Sequence, residues 1–161
     1  MAEDINDFYE EDTQKGKFLT FGIGREVYGI EIGVVTEIIS IQRITEVPEV
    51  PKYIRGIINL RGKIIPVMDV RLRFKKPFRE YNERTCIIVV HIHELSIGLI
   101  VDDVAEVIFM EDDQIVAKPD IKSAQNQYIK NIGKVGDEIK LILDCEKMLD
   151  ADGEVFLMEL K

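Results

Sequence analysis

The residues best suited to hold a metal ion are the two histidines of His91-Ile92-His93. Side chains two apart on a strand face the same way, so both rings could meet one ion. A structural zinc needs four ligands, and a catalytic one usually takes three from the protein. No third ligand stands at a recognisable spacing, because Glu94 would point to the other face. Surface histidines are therefore the expectation. The three serines, Ser40, Ser96 and Ser123, lie outside any G-x-S-x-G turn. The sequence contains no H-E-x-x-H, C-x-x-C or Walker A pattern. Gly22-Ile23-Gly24 is too short for a dinucleotide fingerprint, and Arg25-Glu26 do not open a helix. Glu31, Asp102 and Asp103 could be proposed as paired carboxylates, but near strand ends such groups are more often solvated charges. Cys86 and Cys145 each lie in or beside an apolar run, which suits two reduced, buried thiols better than a disulfide. We therefore expect no catalytic residue, no metal site and no cofactor.

Composition narrows the remaining classes. Apolar residues make up 46% and charged residues 32%, enough for a core and a well-solvated surface. No apolar run approaches the roughly 20 residues that cross a bilayer, and Met1-Ala2-Glu3-Asp4 is not a secretory signal. The expectation is a cytoplasmic protein without direct membrane insertion. Net charge is −9, of which residues 1–16 contribute −5 through Glu3, Asp4, Asp7, Glu10, Glu11 and Asp12 against Lys15. Such a segment reads as a disordered acidic tail. Residues 151–161 read as a C-terminal tail or short helix. An acidic chain without a basic stripe is a poor nucleic-acid binder.

The elements that position these residues come in two copies. With Gly29 placed over Gly98, Phe18-Leu19-Thr20-Phe21 falls on Ile87-Ile88-Val89-Val90, Val35 on Val104, and Glu37 on Glu106. With Tyr53 placed over Tyr128, Ile57 meets Ile132 and Asp69 meets Asp144. The offset rises from 69 to 75, so the second copy carries six extra residues between its blocks. The copies run from about 18 to 74 and from about 87 to 149, inside a domain of about 17–150.

Each copy reads as short strands. Leu19, Phe21 and Ile23 alternate with Thr20 and Gly22, and Tyr28, Ile30 and Ile32 alternate with Gly29 and Glu31. Period two marks a half-buried strand. Gly24-Arg25-Glu26 suits a tight hairpin. Ile64 to Met68 and Ile139 to Leu143 are further strands, with Pro66 suggesting an edge or bulge. Asp69 and Asp144 each precede a short amphipathic run and suit helix N-caps. The fold class is all-β, with two β-barrels, a few short helices and a groove where the halves meet. One copy of about 60 residues is marginal alone, so the copies should share a core.

Positions that differ between copies are candidates for binding. Arg55 to Lys63 falls on Lys130 to Glu138, placing Asn59 over Lys134 and Arg61 over Gly136. Asn59-Leu60-Arg61-Gly62 ends one strand and turns into the next. An ordinary polar turn with Gly62 at positive φ would account for the glycine alone.

The stretch Gly56-Ile57-Ile58-Asn59-Leu60-Arg61-Gly62-Lys63-Ile64-Ile65-Pro66-Val67-Met68-Asp69-Val70-Arg71 resembles the signature of the CheW family. Tyr28 to Ile32, Val35 to Ile38, Gly98 to Asp102 and Ile139 to Asp144 also resemble it, so the likeness spans about Lys17 to Leu149. It implies two SH3-like five-stranded barrels sharing a core. It also implies a non-catalytic chemotaxis adaptor joining the regulatory domain of the histidine kinase CheA to the cytoplasmic helical hairpin tip of methyl-accepting receptors. Transferred by position, the receptor-facing candidates are Leu19, Ile32, Val35, Glu37, Ile38, Asn59, Arg61 and Val104. The five apolar ones are equally compatible with plain core. Glu37 and Arg61 are expected to pair beside the groove. Ile44 and Val47 are candidates for the main kinase contact, and Asp120 and Ile121 for a ring-closing contact, with loop packing as the alternative. An adaptor of a related motility array, an enzyme with a hidden metal site and a nucleic-acid-binding SH3-like module are the competing readings.

Overall fold

The computed structural model describes residues 14–123 and 126–149. Among these residues, eleven strands and two one-turn α-helices follow in the order expected from the repeat. The first copy supplies β1 (Lys17–Ile23), β2 (Glu26–Glu31), β3 (Val35–Ser40), β4 (Ile54–Leu60), β5 (Lys63–Asp69) and α1 (Val70–Arg73). The second supplies β6 (Cys86–Ile92), β7 (Leu95–Val101), β8 (Asp103–Phe109), β9 (Ile115–Ala117), β10 (Ile129–Val135), β11 (Glu138–Leu143) and α2 (Cys145–Met148).

The copies are interleaved rather than placed side by side. One sheet runs β8-β1-β2-β11-β10-β9, and the other runs β3-β6-β7-β5-β4. Each SH3-like sheet therefore takes strands from both copies, with the hairpins β1–β2 and β6–β7 exchanged between them. The neighbours are antiparallel except β2 with β11 and β5 with β7, the two places where one copy meets the other in parallel. The first sheet has six strands because the inserted residues add β9, where Val116 pairs with Ile132. The first copy keeps a remnant of that contact as a single bridge from Thr45 to Ile57, since Ile57 and Ile132 are repeat equivalents.

Alternation sorts the core into three parts. Ile87, Val89, Ile58, Ile65, Val67 and Ile100 fill the five-stranded half. Phe18, Met110 and Ile142 fill the six-stranded half. The opposite faces of the same strands, including Phe21, Tyr28, Ile88, Val90 and Leu99, build with Phe74 at the end of α1 one large core between the sheets. Burying each such side chain stabilises by about 1.5–3 kcal/mol, so the shared layer holds the molecule together. Arg73 is buried beside this layer, its guanidinium carbon 4.3 Å from the Tyr53 ring centre and 4.8 Å from that of Tyr128. Those two tyrosines are repeat equivalents, so one arginine clamps both halves.

The expected caps are present. Asp69 accepts from Leu72 N at 3.2 Å, and Asp144 accepts from Glu146 N at 3.0 Å and Lys147 N at 3.3 Å. The reading of Pro66 as an edge or bulge residue is corrected, because β5 lies inside its sheet, between β7 and β4. Ile57, opposite Pro66, spends both backbone groups on Thr45, at 2.9 Å each. The Ile57–Pro66 pair is thus a non-hydrogen-bonded one, and the proline nitrogen faces β7. The parallel ladder with β7 starts only at Val67, so no donor is needed. The acidic segment and the C-terminal tail lie outside the described residues, save Gln14 to Gly16 of the first.

Candidate functional site

The site is built on the seam of the five-stranded sheet. Its edge strands are β3 and β4. Glu37 on β3 and Arg61 at the tip of the β4–β5 hairpin form an ion pair across that seam. The pair expected from opposite charge is therefore made, and it joins one edge of the sheet to the turn at the other.

The turn that carries Arg61 is not built for its own comfort. Leu60 pairs with Lys63, leaving a two-residue loop, Arg61-Gly62. Both loop residues are left-handed, at φ 53 and φ 88. Such loops favour Asn-Gly, because left-handed backbone disfavours residues with a Cβ. Gly62 meets the demand, and Asn59 Oδ1 accepts from Gly62 N at 2.8 Å. Arg61 meets it at a cost. The equivalent residue of the second copy is Gly136, at φ 62. The fold favours glycine at this position, so the arginine is there for its guanidinium.

Burial divides the remaining receptor-facing candidates. Leu19 is 1% exposed and sits in the shared core, so it has no surface to offer, and that assignment is corrected. Ile32, Val35 and Val104 are half-buried and pack against the shared core. Along β3, Val35, Glu37 and Ile39 are half-buried, while Thr36, Ile38 and Ser40 are exposed. Ile38 keeps 44% of its surface open. Asn59 is exposed, but its amide oxygen is spent on the turn. Sequence reasoning missed Ile64, which is 54% exposed on β5 opposite Asn59. Period two offered the signal, since Ile65 and Val67 point inward and Ile64 must point out. Val107 and Ile139, repeat equivalents of Ile38 and Ile64, are also exposed and were also missed.

Of the kinase candidates, Ile44 packs partly against the core of the five-stranded half, beside Ile39, Ile41 and Leu60. Val47 is half-buried on the same connection. Asp120 and Ile121 are exposed on the connection after β9, with Ile121 58% open.

The groups first considered for chemistry have structural duties. His93 stands 3.5 Å from Glu146 in the β6–β7 turn. Among the described residues, no three His, Cys, Asp or Glu are grouped to hold a metal ion. Asp102 corrects its reading as a solvated charge: Arg71 at 2.7 Å, Arg79 at 3.2 Å and Gly24 N at 2.7 Å all meet its carboxylate. Asp103 accepts from Gly22 N at 3.1 Å, and Glu31 pairs with Lys130 at 3.2 Å. Both cysteines are free thiols, Cys86 being partly exposed rather than buried. The Cys145 thiol is pushed up to about 12, mostly by burial and then by the carboxylates of Asp144, Glu31 and Glu146. It is no nucleophile at neutral pH. No helix among the described residues is long and apolar enough to cross a membrane.

The chain is similar to known proteins over most of its length. The chain is 32% identical to the chemotaxis protein CheW of Klebsiella aerogenes over 142 residues, covering 88% of this chain and 86% of that one. It is 33% identical to the chemotaxis protein CheW of Helicobacter pylori over 143 residues, covering 89% and 87%. The crystal structure of the scaffolding protein TtCheW from Thermoanaerobacter tengcongensis superposes with a TM-score of 0.80 at 36% identity, covering 86% of this chain and 94% of that one. The family model of the CheW-like domain matches residues 17–153, and this chain belongs to that family.

Proposed function

We propose that this protein is a cytoplasmic chemotaxis adaptor, not an enzyme, and that it couples the regulatory domain of the histidine kinase CheA to the cytoplasmic helical tips of methyl-accepting receptors. The observation that carries this reading is Arg61, held at a left-handed turn position against the preference of the fold and paired with Glu37 across the sheet seam. Ile38 and Ile64 leave apolar surface on the same strands and hairpin. Exposed apolar side chains near a charged pair suit a helix that presents side chains at i, i+3, i+4 and i+7. Ile32, Val35 and Val104 add half-buried apolar surface, and Glu37 orients the Arg61 guanidinium toward the visiting helix. Ile44 and Val47 face the kinase, and Asp120 with Ile121 supply the ring-closing contact.

Co-sedimentation with receptor fragments and CheA tests this. Arg61→Ala should leave the fold intact and weaken receptor binding by roughly tenfold, about 1.4 kcal/mol. Ile121→Asp, at an exposed position, should weaken only assembly with the kinase. Receptor binding unchanged by Arg61→Ala and by Ile38→Asp together would end the reading.

A further inference from the structure

The two halves differ in what borders each short helix. In the first copy the chain after α1 runs back as a strap over residues 75–85. Arg71 Nε donates to the Pro77 carbonyl at 3.2 Å, Arg79 reaches Asp102 at 3.2 Å, and the Tyr81 hydroxyl donates to Asp69 at 2.6 Å. Tyr81 also packs on the core of the five-stranded half. Beneath the strap only about 10 Å³ remains open, between Asp69, Arg71, Tyr81 and Ile100. The repeat carries three of these positions onto Asp144, Glu146 and Glu31. Those residues border a cleft of about 310 Å³ with a polar rim, to which His91, His93 and Lys130 also contribute, and an apolar floor of Val34, Ile92, Leu143 and Cys145.

We propose that the C-terminal segment of this chain docks into that cleft as the counterpart of the strap, with Phe156 as its anchor. Tyr81 and Phe156 are equivalent at the same offset of 75 that relates Asp69 to Asp144. Each aromatic stands seven residues after the apolar residue that ends its helix run, Phe74 or Leu149. Seven residues reach at most about 25 Å, ample for a cleft that starts at α2 itself. Val155-Phe156-Leu157-Met158 is also the one apolar run after Leu149, so it matches the apolar floor.

The change from tyrosine to phenylalanine fits the local hydrogen bonds. Asp69 accepts one backbone amide and completes its set with the Tyr81 hydroxyl. Asp144 accepts two backbone amides. It needs no hydroxyl, so a bare ring suffices there.

The test uses the full chain without partners, so its outcome is separate from that of the adaptor reading. Carbon-13-edited NMR should show contacts from the Phe156 ring to the methyl groups of Val34, Ile92 and Leu143. Phe156→Ala should remove them and lower Tm by about 5 °C. A Phe156 ring without these contacts, together with an unchanged Tm, would overturn the proposal. So would cleft contacts traced to residues 1–13, or contacts that grow with protein concentration and therefore come from a second copy.

Discussion

Arg61 sets one requirement for the turn and another for the partner, and the two can be separated by substitution. Glycine relieves the left-handed strain and removes the guanidinium. Arg61→Gly should thus raise stability by up to about 1 kcal/mol while receptor binding falls. Chemical denaturation alongside receptor co-sedimentation checks both; a destabilised Arg61→Gly would mean the ion pair holds the seam. Coupling between Glu37→Ala and Arg61→Ala in a double-mutant cycle on receptor binding should come to about 0.5–1 kcal/mol. Strict additivity would contradict a joint role. Cys145 carries a pH dependence of its own. Its folded thiol stays protonated up to about 12 against an ordinary value of 9.0. Between those values the unfolded chain has lost a proton that the folded chain keeps, so stability falls as pH rises. Cys145→Ala should flatten that decline, read as urea midpoints from pH 8 to 10.5. The pairing of Glu37 with Arg61 was legible because their charges oppose and the CheW resemblance places both on the receptor-facing side. Leu19 was not, because one period-two strand feeds two different cores, and the pattern alone does not say which face is shared.

At the scale of elements, local rules carried the strands, hairpins and caps. The two caps nevertheless differ in burden. Asp69 is 1% exposed and holds Tyr81 as well as α1, whereas among the described residues Asp144 accepts only from its own helix turn. Asp69→Ala should cost about 2–3 kcal/mol and Asp144→Ala about 1 kcal/mol, compared by thermal melts. Equal losses would show that the tyrosine contact adds nothing. Gly98, the residue on which the repeat was aligned, has little room: a Cβ there would lie 2.7 Å from Ile87 and 2.9 Å from Val67. The exchange of the hairpins β1–β2 and β6–β7 was hidden from sequence, since alternation reports that a strand is half-buried and not which neighbour it joins. Pro66 misled for a related reason. Its missing donor pointed to an edge, whereas the late start of the β5–β7 ladder removed the need for one.

For the molecule as a whole, interleaving predicts a single cooperative transition. Each sheet needs strands from both copies, and the largest core lies between the sheets. Circular dichroism and fluorescence melts of the full chain should coincide. A separately expressed first half, 1–80, should lack ordered β structure until the second half is added. Independent folding of either half would contradict the shared core. The repeat in the sequence made two similar units visible, and marginal size argued that they must cooperate. Neither observation showed that the units trade strands.

That trade has a consequence for recognition. Cut once between Phe74 and Ile87, the chain would have the connectivity of two subunits swapping an arm about a dyad. In such a pair every surface feature appears twice, and a ligand can occupy either of two interchangeable places. Covalent tethering frees the duplicated places to diverge. One hairpin tip keeps an arginine, and its twin keeps glycine. A symmetric scaffold thereby acquires polarity, so a visiting helix has a single address on it.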